Sequence, residues 1–376
     1  MRNGTDGFLI RETNHASRRR PMSRKNEMKR LLNLTKRIPK CELHCHLTGT
    51  IRQSTLLELL REKNVPEREL ECFRNETWED AMKIFPLIHR AVDNQDAVRR
   101  VIHEAIEDMR NDGVRYVEFR TTLKKMPTKR KFLDFIVRTM KRASDTKKID
   151  ARLIISVARH ESVESAMESA DIAVEYFKSQ ESNILVGFEF CGNPNVGKFS
   201  EFRPAFSRCK DAGLKIALHF AENHTEAEHH EMLDFMPHRL GHAVFANDDV
   251  LRRVRSLSIP VETCLSCHEE FYGVKIQNNV FTKLFPSKHP ISLNSDNPLL
   301  QKTMPSVELA KALHVFSGHS INSEDDFTRL VLDPFDHAFG DTSRLREIVR
   351  HELEHNRLAH EWSSIVRENR VPSSKL

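Results

Sequence analysis

Residues 40–49 read KCELHCHLTG and place two histidines one residue apart inside a short apolar run. In a β-strand residues i and i+2 point to the same face, so His44 and His46 point together and Cys45 points away. Two buried imidazoles need partners for their ring nitrogens, and a metal cation is one such partner. Hydrogen-bonded structural histidines are the alternative. The pair at a strand end favours a metal site, with Cys45 as a packing residue.

Seven further runs rich in β-branched and aromatic residues follow the first. Stretches with helical spacing separate them, and the later intervals are about one βα unit long. Eight strands that alternate with helices predict an α/β fold, a closed (β/α)8 TIM barrel, with an open doubly wound sheet as the alternative. The predicted strands cover residues 41–47, 114–121, 151–158, 184–191, 214–220, 239–245, 259–265 and 290–295.

Two parts of the chain are longer than the alternation of one strand and one helix requires. The interval between the first and second strands is about twice the others, which predicts extra helices at 55–63 and 78–92 over one mouth of the barrel. Residues 305–366 are predicted to be helical, with an interruption at Asp333 and Pro334.

The charge is distributed unevenly along the chain. The net charge is +5, but residues 1–37 hold 11 Lys or Arg and 3 Asp or Glu, a local balance of +8 that leaves −3 for the rest. We expect residues 1–37 to be a basic, disordered extension, 38–366 to be a single barrel domain, and 367–376 to be a flexible tail. The slightly acidic body argues against a broad nucleic-acid-binding face. Nucleic-acid binding through the extension stays an alternative.

The composition also bears on the compartment. No apolar stretch approaches the ~20 residues that span a bilayer. The seven cysteines, odd in number and scattered through apolar runs, are typical of free thiols in a reducing compartment. We therefore expect a cytoplasmic protein without membrane contact, and we expect a monomer. The basic extension leaves nuclear or organellar targeting as alternatives.

The carboxyl ends of barrel strands, and the loops after them, build the active sites of TIM barrels. Three neutral imidazoles (His44, His46, His219) and the carboxylate of Asp296 form a ligand set that suits Zn²⁺ with room for a water. Zinc lowers the pKa of such a water toward ~7. A second metal would need a bridging ligand, often a modified lysine, which FEFCG and HFAE do not offer, so we predict one zinc per chain. In order, the strand ends carry His44 and His46, Arg120 with Thr121 and Thr122, Gly192 and Asn193, His219 with Glu222, His242, Cys264, and Asp296 with Asn297.

The segment from Cys264 to His268 also matches the C-x-x-C-H pattern of covalent haem attachment. The pattern stands alone, without an export signal. We therefore interpret Cys264 and Cys267 as thiols at the end of the barrel.

Seven motifs occur in order along the chain and read ELHCHLTG, YVEFRTT, FCGNPNVG, ALHFAEN, RLGHAVF, VETCLS and SLNSDNP. Taken as a set in this order, they resemble those of the adenosine/AMP deaminase family, over roughly residues 38–345. Within that family the chain is most similar to the adenosine deaminase-like branch, whose members act as N6-methyl-AMP deaminases. The resemblance implies a zinc-dependent hydrolase that converts a 6-aminopurine nucleoside monophosphate, N6-methyl-AMP above others, to IMP and methylamine.

The resemblance also implies roles for single residues. His44, His46, His219 and Asp296 match the zinc ligands, Glu222 the residue that protonates purine N1, and His242 the histidine that holds the attacking hydroxide. Without His219 beside it, Glu222 would be interpreted as an ordinary surface carboxylate. The alternative for His242 is a buried histidine bonded to backbone, which is disfavoured because RLGHA ends a strand where four other polar strand ends converge. The implied substrate contacts are His46, Thr48, His89, Thr121, Thr122, Leu123, Lys124, Gly192 and Asn297.

Several positions depart from the family pattern. Asn297 stands where the family has a second aspartate that contacts purine N7, and an asparagine NH₂ can donate there without first being protonated. We therefore expect activity to be retained. Adenosine deamination to inosine and ammonia is the alternative reaction, and a nucleotide-binding pseudoenzyme is the alternative without catalysis. The other departures are Thr48 for Asn, Leu123 for Pro, Ala158 for Asp and Ala243 for Gly.

Overall fold

Eight strands pair side by side in chain order, all parallel. The computed structural model describes residues 24–73, 78–179 and 183–369. Each strand is buried over most of its residues, as expected where helices cover the sheet. The strands are β1 (Lys40–His46), β2 (Val114–Thr122), β3 (Asp150–Ala158), β4 (Leu185–Cys191), β5 (Lys215–Phe220), β6 (Arg239–His242), β7 (Val261–Thr263) and β8 (Ile291–Leu293).

The sheet closes between β1 and the segment that follows β8. Cys45 and Asp296 form a parallel bridge. The backbone N–H of His46 donates to the carbonyl of Asp296 at 2.8 Å, and that of Asp296 donates to the carbonyl of His44 at 2.9 Å. The predicted (β/α)8 TIM barrel is therefore confirmed, and its closure joins three of the four proposed metal ligands through backbone hydrogen bonds.

Helices surround this sheet. The extra helices predicted between β1 and β2 are present as α2 and α3, and α4 follows them. The helices are α1 (Arg24–Arg37), α2 (Gln53–Glu62), α3 (Trp78–Ala91), α4 (Gln95–Asn111), α5 (Lys129–Lys147), α6 (Val163–Ser179), α7 (Phe199–Asp211), α8 (Glu226–Asp234), α9 (Asp248–Ser256), α10 (Leu265–Tyr272), α11 (Phe281–Leu284), α12 (Pro305–Phe316), α13 (Glu324–Asp336), α14 (Ser343–His355) and α15 (Leu358–Asn369).

The predicted disordered extension over 1–37 is wrong for residues 24–37. These residues form α1, which packs against α12 and α15 and buries Leu31 and Leu34 completely. The hydroxyl of Thr35 donates to the carbonyl of Ser306 at 2.8 Å. The basic residues occupy the other face of this helix. Their number in the sequence outweighed the apolar stripe that predicts a packed helix. Residues 1–23 lie outside the described part of the chain.

Two predictions near the C-terminus also need correction. Pro334 lies inside α13, two residues before its end, where it removes only one helical hydrogen bond. The side chain of Ser323 caps the start of α13 by accepting from the backbone N–H of Asp326. The break between α12 and α13 therefore lies before residue 324 and not at the proline. The predicted tail over 367–376 is wrong for residues 367–369, which belong to α15; residues 370–376 lie outside the described ranges.

In the described part of the chain, no helix has the length and apolar character needed to cross a bilayer.

We predict that Leu34→Ala lowers the free energy of unfolding by about 2–5 kcal/mol, because the leucine is fully buried and its removal leaves a cavity. Urea unfolding followed by circular dichroism measures this. Asn33→Ala, on the exposed face of α1, is the control. Equal midpoints for the two variants would show that α1 does not belong to the folded domain.

Candidate active site

The four residues predicted to bind zinc converge at the carboxyl end of the barrel. His44 and His46 come from β1, His219 from β5, and Asp296 follows β8. Nε2 of His46 lies 3.2 Å from Nε2 of His219 and 3.3 Å from Oδ1 of Asp296. Nε2 of His44 lies 3.5 Å from the same oxygen. One ligand atom from each residue lies within 4.8 Å of all the others.

The protonation of these rings bears on cation binding. Burial lowers the pKa of His46 to about 3 and that of His219 well below its usual value, so both rings offer lone pairs. Burial also opposes the charged form of His44, but the neighbouring carboxylates of Asp296 and Glu262 raise its pKa to about 9. A cation bound at Nε2 of His44 would replace that proton.

Glu262, on β7, orients His44. One carboxylate oxygen lies 2.6 Å from Nδ1 of His44, closer than the guanidinium nitrogen of Arg120 at 3.0 Å. The ring therefore donates from Nδ1 to the carboxylate and turns Nε2 toward the cluster. Arg120 donates to the same carboxylate at 3.0 Å, and Arg239 donates to its other oxygen. Burial alone would raise the pKa of Glu262, but the two guanidinium groups hold it well below its usual range.

Gly241 leaves room for the His44 ring. A Cβ at this position would lie 2.9 Å from Cε1 of His44. The glycine of RLGHA therefore permits β6 to approach β1 closely enough for the two strands to contribute to one site.

Glu222 and His242 lie beside the four-residue cluster. Nε2 of His242 is 3.7 Å from Oε1 of Glu222, and both side chains are buried. Burial raises the pKa of Glu222 to about 7, so part of the population is protonated at neutral pH. The hydroxyl of Tyr272 donates to Oε1 at 2.6 Å, whereas Oε2 has no hydrogen-bond partner in the described part of the chain.

Four residues at or near these strand ends have strained backbone conformations. Ala221, His242, Ala243 and Asp296 all adopt positive φ, at 52°, 66°, 57° and 58°. Residues with a Cβ rarely adopt this conformation, which costs about 1–3 kcal/mol each. Ala243, which departs from a glycine in the family pattern, occupies a position where glycine would be unstrained.

The residues predicted to contact substrate are arranged less tightly. Thr48, Thr121 and Lys124 line one small cavity beside β1 and β2, while Leu123 is buried in the core. The ammonium group of Lys124 donates to the carbonyl of Val92 at 2.8 Å. In addition, Thr122 ends β2, His89 lies on α3, and Gly192 follows β4 with a φ of 101°.

Asn297 is buried and faces the proposed metal ligands. Its amide donates to Oδ1 of Asp296 at 2.9 Å, and its backbone N–H donates to Oε1 of Gln301 at 2.9 Å. Its side-chain oxygen also packs so closely on Gly49 that a Cβ there would lie 2.2 Å away. One amide hydrogen therefore serves Asp296, and one remains for a ligand.

The C-x-x-C-H segment begins α10. Cys264 and Cys267 are buried, and burial raises the pKa of both thiols well above the usual value. His268 lies with Nε2 3.3 Å from Nδ1 of His242. The histidine of the pattern thus serves the site, and no exposed pair of thiols is available for haem attachment.

Sequence reasoning missed three side chains that contact site residues: Glu262, Tyr272 and His268. A signal existed for Glu262, since a carboxylate inside the apolar run of β7 needs a buried partner. His268 was visible only within a misleading motif. Tyr272 contacts Glu222 from the last turn of α10. The spacing of residues in the sequence could not predict where this helix lies relative to Glu222.

Comparison with known proteins identifies the family. The model of the adenosine deaminase family matches residues 39–353. The chain belongs to the adenosine deaminase family. It is a hydrolytic deaminase, as predicted from the strand-end residues and their resemblance.

Curated relatives are similar over most of the chain. The N6-mAMP deaminase of Arabidopsis thaliana is 35% identical over 310 residues, 73% of this chain and 86% of the relative. The N6-methyl-AMP deaminase of Homo sapiens is 29% identical over 300 residues, 74% of this chain and 84% of the relative.

Solved structures extend the similarity to the fold. The apo N6-methyl-AMP deaminase of Arabidopsis thaliana superposes with a TM-score of 0.78 at 32% identity, covering 86% of this chain and 98% of that one. Arabidopsis ADAL complexed with IMP superposes with a TM-score of 0.76 at 31% identity, covering 85% and 97%.

We predict that Tyr272→Phe shifts the alkaline limb of the pH profile of kcat/KM upward. The resemblance implies that Glu222 is a general acid, and for such an acid kcat/KM is highest below its pKa and falls as pH rises through it. The tyrosine hydroxyl stabilises the ionised carboxylate. Its removal raises the pKa and moves the limb by about half to one pH unit. Tyr176→Phe, on α6, is the control; an unshifted limb in Tyr272→Phe would contradict this role.

Proposed function

We propose that the protein is a zinc-dependent deaminase of 6-aminopurine nucleoside monophosphates, with N6-methyl-AMP as its preferred substrate and IMP and methylamine as products. The observation that carries this proposal is the convergence of three imidazoles and a carboxylate beside Glu222 and His242. The names of the relatives support the choice of substrate.

The donor set fits one zinc ion. His44, His46, His219 and Asp296 supply the nitrogen and oxygen ligands that zinc prefers. Nε2 of His44 is buried, is turned inward by Glu262, and has no hydrogen-bond partner among the residues described. When bound, the ion would lower the pKa of a water toward ~7 and so make hydroxide available at neutral pH.

Glu222 supplies the proton for the purine ring. A carboxylic acid with a pKa of about 7 is half protonated at neutral pH, which suits a general acid. Tyr272 already occupies Oε1, so Oε2 is the oxygen available to purine N1. Protonation at N1 makes C6 more electrophilic, so water adds there. The proton that the water loses can return to the carboxylate of Glu222 and pass to the amine nitrogen as the bond from C6 to that nitrogen breaks.

His242 lies where it can hold the attacking water. Its Nε2 faces Glu222, and its ring packs against those of His44 and His219 with centroids 4.5 Å and 4.9 Å away. A single hydrogen bond from this ring would orient the water beneath C6, which is a positioning effect.

A 5′-phosphate fits the cationic side of the site. His89 and Lys124 lie near one another, and partial burial together with Lys124 and His160 lowers the pKa of His89. Cationic and N–H donors complement phosphate oxygens. The nucleotide in the IMP complex of the Arabidopsis protein supports the same class of ligand.

Asn297 would contribute a hydrogen bond to purine N7. Its amide retains one hydrogen after donating to Asp296. Unlike an aspartic acid, it donates at any pH, so we infer that the asparagine preserves the contact.

Turnover tests the proposal directly. We predict about one zinc per chain, and higher kcat/KM for N6-methyl-AMP than for AMP or adenosine. Glu222→Gln should keep the zinc and lower kcat by about 10²–10⁴-fold, because it removes the transferable proton.

Metal analysis and a product assay for IMP and methylamine measure these outcomes. Glu269→Gln, on the exposed face of α10, is the matched control. Bound zinc without turnover of any of the three compounds would favour the pseudoenzyme, and preference for adenosine would favour the alternative reaction.

We predict that Lys124→Met raises KM for N6-methyl-AMP by about tenfold or more and leaves KM for N6-methyladenosine within about twofold, because a charge-assisted bond to phosphate is lost. Lys125→Met changes an exposed neighbouring lysine and is the control. Equal changes for nucleotide and nucleoside would show that Lys124 acts by packing and not through the phosphate.

A further inference from the structure

A chain of buried hydrogen bonds leads from the barrel wall to His242. The amide nitrogen of Asn279 lies 2.8 Å from Nδ1 of His268, and Nε2 of His268 lies 3.3 Å from Nδ1 of His242. All three side chains are buried. His242 therefore has a second partner on the side of the ring that faces away from Glu222.

Contacts of Asn279 fix which group donates in each of these hydrogen bonds. The backbone N–H of Phe281 donates to Oδ1 of Asn279 at 3.0 Å, and the hydroxyl of Thr263 lies 3.0 Å from the same oxygen. A backbone N–H can only donate, so the atom that faces it must be the amide oxygen. The NH₂ group of Asn279 consequently faces His268.

The orientation of Asn279 determines which nitrogen carries the hydrogen in His268 and, through it, in His242. Because Asn279 donates to Nδ1 of His268, that nitrogen carries a lone pair and the hydrogen of the ring is on Nε2. Nε2 of His268 then donates to Nδ1 of His242, which must accept. The hydrogen of His242 is left on Nε2, the nitrogen 3.7 Å from Glu222.

We propose that His268 and Asn279 are positioning residues that hold His242 in the tautomer with its hydrogen on Nε2. As a consequence, which rests on the proposed function, His242 donates a hydrogen bond to the attacking water and does not remove its proton. Nε2 of His242 has no lone pair in this tautomer, so the ring orients the oxygen that adds to C6.

Other features of this series of hydrogen bonds agree with the tautomer assigned to His242. Burial lowers the pKa of His268 to about 3, which keeps the ring neutral and its Nδ1 free to accept. The rings of His242 and His268 lie with centroids 5.5 Å apart, close enough for packing as well as hydrogen bonding. The experiment must therefore separate a lost hydrogen bond from lost packing.

Nitrogen NMR of the ¹⁵N-histidine-labelled protein, metal-free and zinc-loaded, reads the tautomer without any turnover. The His242 signals are assigned by their loss in His242→Gln. We expect a protonated Nε2 and an unprotonated Nδ1 for His242. A hydrogen on Nδ1 of His242 would overturn the inference, even in an active enzyme.

Variants test the consequence. His268→Leu should lower kcat by about 10- to 100-fold and leave KM and zinc content within about twofold, because His242 loses the donor that selects its tautomer. His268→Gln should recover most of that loss, since a glutamine amide can accept from Asn279 and donate to His242. Asn279→Leu should change kcat in the same direction by a smaller factor, because His268 remains but is free to adopt either tautomer.

His289→Leu is the matched control for removal of a buried histidine. The ring of His289 bonds the carbonyl of Ile259, before the amino-terminal ends of β7 and β8 and away from the site. Equal losses in His268→Leu and His268→Gln would contradict the inference and indicate packing. Wild-type protein that turns over no purine nucleotide, yet shows the Nε2 tautomer, would overturn the proposed function and support the tautomer assignment.

Discussion

Glu262 is shared by two buried arginines and one histidine, and the geometry of the site depends on this sharing. The carboxylate accepts from Arg120, Arg239 and Nδ1 of His44 inside the barrel, where none of the four side chains is more than 1% exposed. Removing one partner of such a group leaves an uncompensated buried charge and costs about 3–5 kcal/mol. Because the pairing is complete, it fixes which nitrogen of His44 faces the site. A ring turned the other way could neither bind a cation nor satisfy the carboxylate.

Barrel closure and the site reinforce one another. The bridge between Cys45 and Asp296 that closes the sheet also places Asp296 beside the two histidines of β1. Asp296 and His242 adopt left-handed backbone conformations at the ends of their strands, and the closed barrel holds them there. Helix α10 adds a further layer, since His268 contacts His242 and Tyr272 contacts Glu222. Glu222, the proposed acid, and His242, proposed to orient the attacking water, thus depend on one two-turn helix.

Much of the fold followed from the sequence because period-2 and period-3.6 patterns report directly on which faces are buried. The alternation in KCELHCH placed His44 and His46 together and turned Cys45 into the core, and the structure agrees. The family assignment, the barrel and the deaminase class are confirmed. Alternation could not show which buried partner a ring nitrogen has, so Glu262 and Asn279 were not found. In residues 24–37 the many charged residues favoured disorder over a helix that buries two leucines on one face. The start of the domain was therefore predicted at residue 38, after α1.

We expect His44, His46, His219 and Asp296 to bind one metal ion beside Glu222. Anomalous diffraction above and below the zinc edge, on crystals of the protein purified without chelator, shows whether zinc occupies this position. The expected result is a single zinc peak among the three Nε2 atoms and an oxygen of Asp296. Absence of a peak there, or a peak at the exposed group formed by Glu226, His230 and Asp249 instead, would contradict it.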